Sequence, residues 1–449
     1  MTEYNIRQFI RDVSKKQISD NKSNNTKSNT TKSNTGGRAS RNIHRNRHNE
    51  KSDNKFLIPQ KKIWQVPRVT SLNLLPLTLK TDDEKIDNDY NITKLELETS
   101  KSKLDEIKNL DVLLTIMDHY APLKYYIKKN YNLHPVTNAT LKIIELSLWL
   151  NLLNDTNRVF CNAEFPGAFI MGLHYLCKIR HLPFQFIASS YFPDSSNTAL
   201  DDKYKLYENY RGNWLMGPKP NALPEDEKDI DGDITKSENI VILSEGVLQK
   251  WSPDLYTSDA GVESDFNKQE ESTALINFGQ ILCGLLTLTI GGKLIVKQFT
   301  FFSRFSRSLI GLLSYFFDDL YIVKPVTSRS RNSEIYLVGI GFRGISDIVS
   351  NQLLERMEEY KDKLPCDYDY IIDISEIDLS LFRISKAICA QQISFLNEIY
   401  NLSIKYKHNY ETLRKIMFGK VKPLMDDWLN TYNLEIIQDA QKLFHKTSN

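Results

Sequence analysis

The chain has 449 residues, enough for two or three domains at roughly 150 residues each. Its apolar fraction of 41% falls below the usual globular range once glycine replaces tyrosine in the count, which predicts one sizeable core and a substantial polar tail. Lys and Arg number 58 against 56 Asp and Glu, so net charge selects no partner and any nucleic-acid surface must come from uneven distribution.

Five cysteines, at 161, 177, 283, 366 and 389, lie far apart with no CxxC and no metal-ligand spacing. That argues against a disulfide framework, a zinc module or any metal site, and it fits a reducing compartment. The longest apolar candidate, Ile281 to Ile290, is of core length rather than membrane length. The polar N-terminus has no apolar signal region, so the reading is neither secreted nor membrane-spanning.

Residues from about 15 to 55 consist of Asn, Ser, Thr, Lys and Arg, with the near-repeats Thr26–Thr30 and Thr31–Thr35. Such a segment buries too little apolar surface to offset its ordering entropy, which predicts a disordered arm over 1–60. Its basic residues are almost unopposed by acids, so it is either a solvated tail or a non-specific RNA-binding arm. A charged segment from Asp82 to Lys108 reads as an exposed helix and Leu110 to Lys129 as another, giving a helical extension over 61–134. Strands are expected at Val159–Cys161, Phe184–Ala188, Leu255–Thr257, Lys293–Phe299, Leu320–Val323 and Ile335–Gly339. Helices are expected after Phe169, at Asn239–Lys250, at Asn267–Leu288 and at Phe302–Phe317, with a polar insertion over Ser189–Lys228. Strands alternating with helices at this spacing predict an α/β doubly wound sheet over 135–345. A charged helical extension follows over 346–449.

In such sheets ligands bind beyond the carboxyl ends of the strands. Glu164-Phe165-Pro166-Gly167 follows the first core strand, and its glycine permits close backbone approach at a helix N-terminus. Asp233 and Asp259 follow later positions, and each alone reads equally as a helix cap. Lys297 ends the run Gly-Gly-Lys-Leu-Ile-Val-Lys, and a lysine in an apolar strand is costly unless it faces a polar site. Glu334 opens the closing strand.

Asp259 in Ser-Asp-Ala-Gly, Lys297 after Gly-Gly, and Glu334 in Ser-Glu-Ile-Tyr resemble the FtsJ-like RNA 2′-O-methyltransferases, whose tetrad is Lys-Asp-Lys-Glu. Lys142, shortly before Gly167, matches the first lysine. The resemblance covers about 135 to 345 and implies a Rossmann-like S-adenosylmethionine-dependent methyltransferase sheet with helical extensions on both sides. The insertion, Asn213-Trp214-Leu215-Met216 and Phe266-Asn267-Lys268-Gln269-Glu270 are most similar to the Adrift-type branch, which includes cap-region enzymes and those of large cytoplasmic DNA viruses. This implies S-adenosylmethionine as cofactor, a ribose 2′-hydroxyl as acceptor and capped mRNA as the substrate RNA. It also implies a place in the host cytoplasm, with packaging in the virion left open.

By the same resemblance the catalytic residues are Lys142, Asp259, Lys297 and Glu334. Gly167 and Phe169 lie beside the methionine part of the cofactor, Asp233 near its adenine and Asp259 near the methyl donor. Two positions depart from the family pattern. Cys161 stands where an acid is usual, and Ser189-Ser190 replaces the acid that often holds the cofactor ribose. Chemically, a ribose hydroxyl is a very weak acid and needs a base during attack. A lysine serves if burial and a neighbouring cation lower its pKa, which selects Lys297 as the base with Lys142 holding the ribose. Tyr191, Tyr207, Trp214 and Trp251 read first as core, with stacking on a base or cap as the alternative. The rival functions are methylation of ribosomal or transfer RNA, and an idle RNA-binding protein carried in the virion.

Overall fold

The computed structural model describes residues 56–81, 85–155, 157–191, 201–216, 232–262 and 267–443. Most of the expected arm, 1–55, lies outside the described residues, as do parts of the insertion. Residues Pro59–Asn449 form one compact unit. Its centre is a seven-stranded sheet in the order β1-β6-β7-β5-β4-β2-β3. The strands are β1 Lys62–Val66, β2 Arg158–Asn162, β3 Gln185–Ala188, β4 Leu255–Ser258, β5 Lys293–Gln298, β6 Phe317–Lys324 and β7 Ile335–Phe342. Strands β3, β2, β4 and β5 run parallel, and β7 is antiparallel to both β5 and β6. This is a Rossmann-like α/β sheet with β7 reversed between β5 and β6 and a second reversed strand, β1, at the edge.

The helices are α1 Lys85–Ser102, α2 Leu110–Ile116, α3 Ala121–Asn130, α4 Asn138–Trp149, α5 Ala168–Ile179, α6 Ser237–Leu248, α7 Gln269–Thr287, α8 Arg304–Phe316, α9 Asp347–Glu359, α10 Asp378–Lys405 and α11 Tyr410–Tyr432. Alternation along the strands separates two cores, one on each face of the sheet. Leu294, Val296, Ile335 and Leu337 pack with α6, α7 and α8. Ile295, Tyr336 and Val338 face α3, α4 and α5 instead. Close packing of α4 on α5 depends on Gly172, where a β-carbon would meet Ile143 Cγ2 at 2.5 Å.

Three sequence expectations for the flanking segments need correction. The extension over 61–134 does not begin as a helix. It begins with β1, which adds to the sheet edge against β6 in the register Lys62↔Lys324. Five residues flanked by lysines and ended by Pro67 are too short for a period to show. The helix expected to be exposed, α1, buries Tyr90, Thr93, Leu97 and Ser100 in one stripe, and Tyr90 meets Phe382 of α10 edge-on at 5.1 Å. Its partner lies nearly 300 positions away in the chain, so the segment by itself looked solvated. The single helix expected over Leu110–Lys129 is two, because Pro122 fixes the first turn of a new helix, α3.

All five cysteines are free and buried. No helix among the described residues is long and apolar enough to cross a membrane.

Candidate active site

The chain passes from β2 outward to β3 and then returns to β4 on the other side of β2. That reversal opens a crevice beyond the carboxyl ends of β2 and β4, where ligands bind in this architecture. Because β7 runs antiparallel, its first residues sit at the same end of the sheet as the last residues of β5; Lys297 pairs directly with Tyr336. The two-residue period then places Asp259 (in line with Leu255), Lys297 (with Ile295), Glu334 and Tyr336 on the face covered by α4. Lys142 reaches them from α4, whose start is fixed by a capping box between Thr137 and Thr140.

The structure brings together all four residues that the sequence singled out as catalytic. Lys142 Nζ lies 2.6 Å from Glu334 Oε1 and donates to the Tyr336 hydroxyl at 3.4 Å. Tyr336 in turn donates to Asp259 Oδ1 at 2.8 Å. Lys297 Nζ lies 3.4 Å from the same Oδ1 and donates to the Asp259 carbonyl at 2.8 Å. The tetrad is thus two ion pairs joined through one phenol. A helix-cap role for Asp259 is excluded, since the next helix begins at Gln269.

Burial disfavours charge on Lys142, but Glu334 and Asp259 more than reverse it and hold the ammonium above its ordinary value. Burial likewise opposes charge on Glu334, yet Lys142, Lys297 and Lys324 together bring that carboxyl down to about 2. A further buried lysine, Lys324, stands at the end of β6 behind the Glu334 backbone. Burial, with Lys142 adding, pushes it down to about 7, although it donates to the Glu334 carbonyl at 2.7 Å. Burial and the charges of Asp259 and Glu334 keep the Tyr336 phenol protonated.

The crevice is organised by Glu164. Its Oε1 accepts from the amides of Phe169 and Ile170 at 2.6 and 3.3 Å, and its carbonyl accepts from Gly167 at 2.7 Å. Gly167 is the N-cap of α5 with φ 111°, and a β-carbon there would collide with Leu206 Cδ1 of the insertion. The Phe169 ring is buried and tilted against Tyr336 at 6.2 Å, so it backs the tetrad as well as the crevice. Asp233 closes a turn ahead of α6, accepting from Thr235 N and Oγ1 at 3.0 and 2.6 Å. Gly232 beside it runs against the Ser190 carbonyl at the end of β3.

Burial and then the Asp259 charge push the Glu164 carboxyl well above the usual carboxylate range. Two carboxyl groups that repel each other at one crevice suit a ligand carrying positive charge, as a sulfonium cofactor does. Cys161, by contrast, is a buried core thiol; the acid at this strand end is Glu164, three residues on.

Sequence reasoning did not assign roles to Glu164, Tyr336 or Lys324. For Tyr336 a signal was present: it stands two residues after Glu334 and so shares its face. Among the aromatic candidates, Trp214 is core, donating from Nε1 to the Leu206 carbonyl at 3.2 Å. Tyr207 packs edge-on against Phe165 and Trp214. Trp251 is partly buried against the core, and Tyr191 is exposed. No group of three His, Cys, Asp or Glu among the described residues is placed to hold a metal ion.

Residues 135–342 match the family model of FtsJ-like methyltransferases. A probable methyltransferase of African swine fever virus (strain Badajoz 1971 Vero-adapted) is 35% identical over 362 residues, spanning 79% of this chain and 84% of its own. The chain belongs to the FtsJ-like methyltransferase family. Its methyl donor is accordingly S-adenosylmethionine. The family resemblance extends to the mouse cap-specific mRNA (nucleoside-2′-O-)-methyltransferase 2, 28% identical over 57% of this chain and 35% of that protein. Among solved structures, human methyltransferase-like protein 13 in complex with SAH aligns with 13% identity and a TM-score of 0.28, over 49% of this chain and 91% of its own.

Proposed function

We propose that this methyltransferase transfers a methyl group to a ribose 2′-hydroxyl in the cap region of mRNA, with Lys142, Asp259, Lys297 and Glu334 as its catalytic tetrad. The observation that carries the reading is the continuous chain Lys297–Asp259–Tyr336–Lys142–Glu334 at the carboxyl ends of β4 and β5.

When bound, S-adenosylmethionine supplies an electrophilic methyl group on a sulfonium. Gly167, Phe169, Asp233 and Asp259 would hold it, together with the Glu164 carboxyl. The remaining work falls to the chain. Of the two lysines, Lys142 is committed to Glu334 at 2.6 Å and stays charged, a fixed cation that orients the acceptor ribose and offsets negative charge developing on its oxygen. Lys297 has the longer carboxylate contact, 3.4 Å, and Asp259 Oδ1 is shared with Tyr336. Lys297 is therefore the base: once its own proton has passed to solvent, the neutral Nζ takes the proton as O2′ attacks, and Asp259 holds its amine in line. Selection of RNA follows from the reaction, since DNA lacks the acceptor hydroxyl.

Viral relatives support a setting in a virus-infected host cell; the host cytoplasm is proposed from the family resemblance alone, with packaging in the virion to be tested on purified particles. The deciding experiment is radiolabelled methyl transfer to capped and uncapped RNA, with products digested to nucleosides. Label in a 2′-O-methylnucleoside next to the cap supports the reading. Label only in uncapped RNA moves the substrate to ribosomal or transfer RNA, and no label in any RNA leaves an idle RNA-binding protein.

A further inference from the structure

Beside the tetrad, the turn from β6 to β7 walls a cleft of about 30 Å³ with Ser328, Arg329 and Arg331, and His119 closes it from the break between α2 and α3. Ser328 donates to Glu334 Oε1 at 3.0 Å, so one side chain separates the cleft from the Lys142–Glu334 pair. Three cations gather here. Burial first, and then the charge of Arg329, push both Lys124 and Arg331 below their ordinary values. The opposing carboxylates are Asp118, near both, and Asp111, near Arg331.

Neither Arg329 nor Arg331 makes a side-chain hydrogen bond or ion pair within 4 Å among the described residues. His119 is 6% exposed; its ring is bonded to the Met117 backbone, and Nε2 has no partner. A half-buried guanidinium without a partner is costly, and its planar fork matches a phosphate. We propose that this cleft binds a phosphate group of the RNA, immediately beside the ribose presented to Lys297. The proposal rests on the RNA reading above. It also gives the N-terminal extension a role, because Lys124 and His119 lie outside the matched family region.

The test is an Arg329→Ala/Arg331→Ala variant of the full chain, titrated by fluorescence anisotropy with short RNAs bearing a cap, a 5′-triphosphate or a 5′-hydroxyl. Affinity should fall about tenfold, and the slope of log affinity against log salt should become shallower by about 0.7 for each phosphate no longer neutralised. KM for RNA should rise with kcat nearly unchanged, and S-adenosylmethionine affinity by calorimetry should not move. Arg329→Glu, at an exposed position and so without a folding role, should act in the same direction. A defect confined to capped and triphosphate RNA assigns the 5′ phosphates, and an equal defect on all three assigns an internal phosphodiester. Unchanged affinity and slope would overturn the cleft even if methyl transfer is robust. Weakened binding in a protein that methylates no RNA would keep the cleft and overturn the enzymatic reading.

Discussion

Two buried ionic clusters in this molecule use the same kinds of acid with different cations. In the tetrad, lysines from α4 and β5 meet Glu334 and Asp259. On the opposite face of the sheet, Arg307 of α8 lies 2.5 Å from Asp87 of α1 and 3.4 Å from Asp378 of α10. Arg304 joins it through Asp87 and Asp369. Tyr90 and Tyr370 complete that cluster, the first under the Arg307 guanidinium at 4.1 Å and the second donating to Asp378 Oδ2 at 2.7 Å. A guanidinium never gives up its proton near neutral pH, whereas an amine can. The arginine cluster therefore ties both extensions to the core and cannot exchange a proton. The lysine cluster can move a proton. Burial and pairing are common to both clusters; the cation and its place relative to the strand ends are what set them apart.

Variants of the two clusters separate these roles. Lys297→Ala should lower methyl transfer by at least about 10²–10⁴-fold while calorimetric cofactor affinity and the unfolding midpoint stay close to wild type. Lys297→Arg should fail as well, and wild-type turnover in either variant would remove Lys297 as the base. Arg307→Ala should do the reverse. Leaving Asp378 buried without its ion-pair partner, while Asp87 keeps Arg304, should cost about 3–5 kcal/mol in chemical denaturation, with kcat of the folded fraction unchanged. A loss of kcat at full stability would mean that the two clusters are coupled.

Acid should also tell them apart. Glu334 has its folded value lowered to about 2 from an ordinary 4.5, so its contribution is present above 4.5 and is lost as pH falls toward 2. Glu334→Gln should remove about 3 kcal/mol of that acid dependence, read from denaturation curves between pH 5 and 2 (on the order of one proton). An unaltered pH profile would show that the lysine cluster is not held by Glu334. Gly167→Ala tests the crevice, because it forces a side chain onto φ 111° and into Leu206. It should lower stability by about 1 kcal/mol or more and weaken S-adenosylmethionine binding. Adding Leu206→Ala should relieve the clash but leave the backbone strain, so only part of the loss should return. The smallest effect is expected from deleting residues 1–55. Turnover at saturating RNA should hardly change, while RNA binding becomes weaker at low salt with a shallower salt slope. Identical slopes would make the arm a solvated tail.

Much of the site was legible because it is written on strand ends. Lys297 breaks an apolar strand, and Asp259 and Glu334 stand immediately beyond or before one. Tyr336 was only half legible: its spacing from Glu334 fixed the face, but nothing local showed that its hydroxyl bridges Asp259 and Lys142. Lys324 could not be read at all, since a lysine at a strand end normally reaches water. Glu145 was invisible for a similar reason. It sits one turn after Lys142 and accepts from Val326 N, Thr327 N and Trp428 Nε1, three groups almost 200 to 300 positions away. Burial, opposed by those bonds, pushes its carboxyl up to about 7.

By itself the sequence determined the order of strands and helices in the α/β region, because hydrophobic period and glycine, proline and polar breaks act over a few residues. It also determined which residues stand at strand ends, Asp259, Lys297 and Glu334 among them, while Lys142, on a helix, was singled out only by the family resemblance. The tertiary structure alone decided that β7 runs against its neighbours, which brings Glu334 and Tyr336 to the end where Lys297 lies. It decided that α1 packs on α10 through Asp87, Arg307 and Asp378, and that His119 and Lys124 stand beside Arg329 and Arg331. These are contacts between segments far apart in the chain, and their energy comes from desolvation and charge pairing that exist only once both segments are in place.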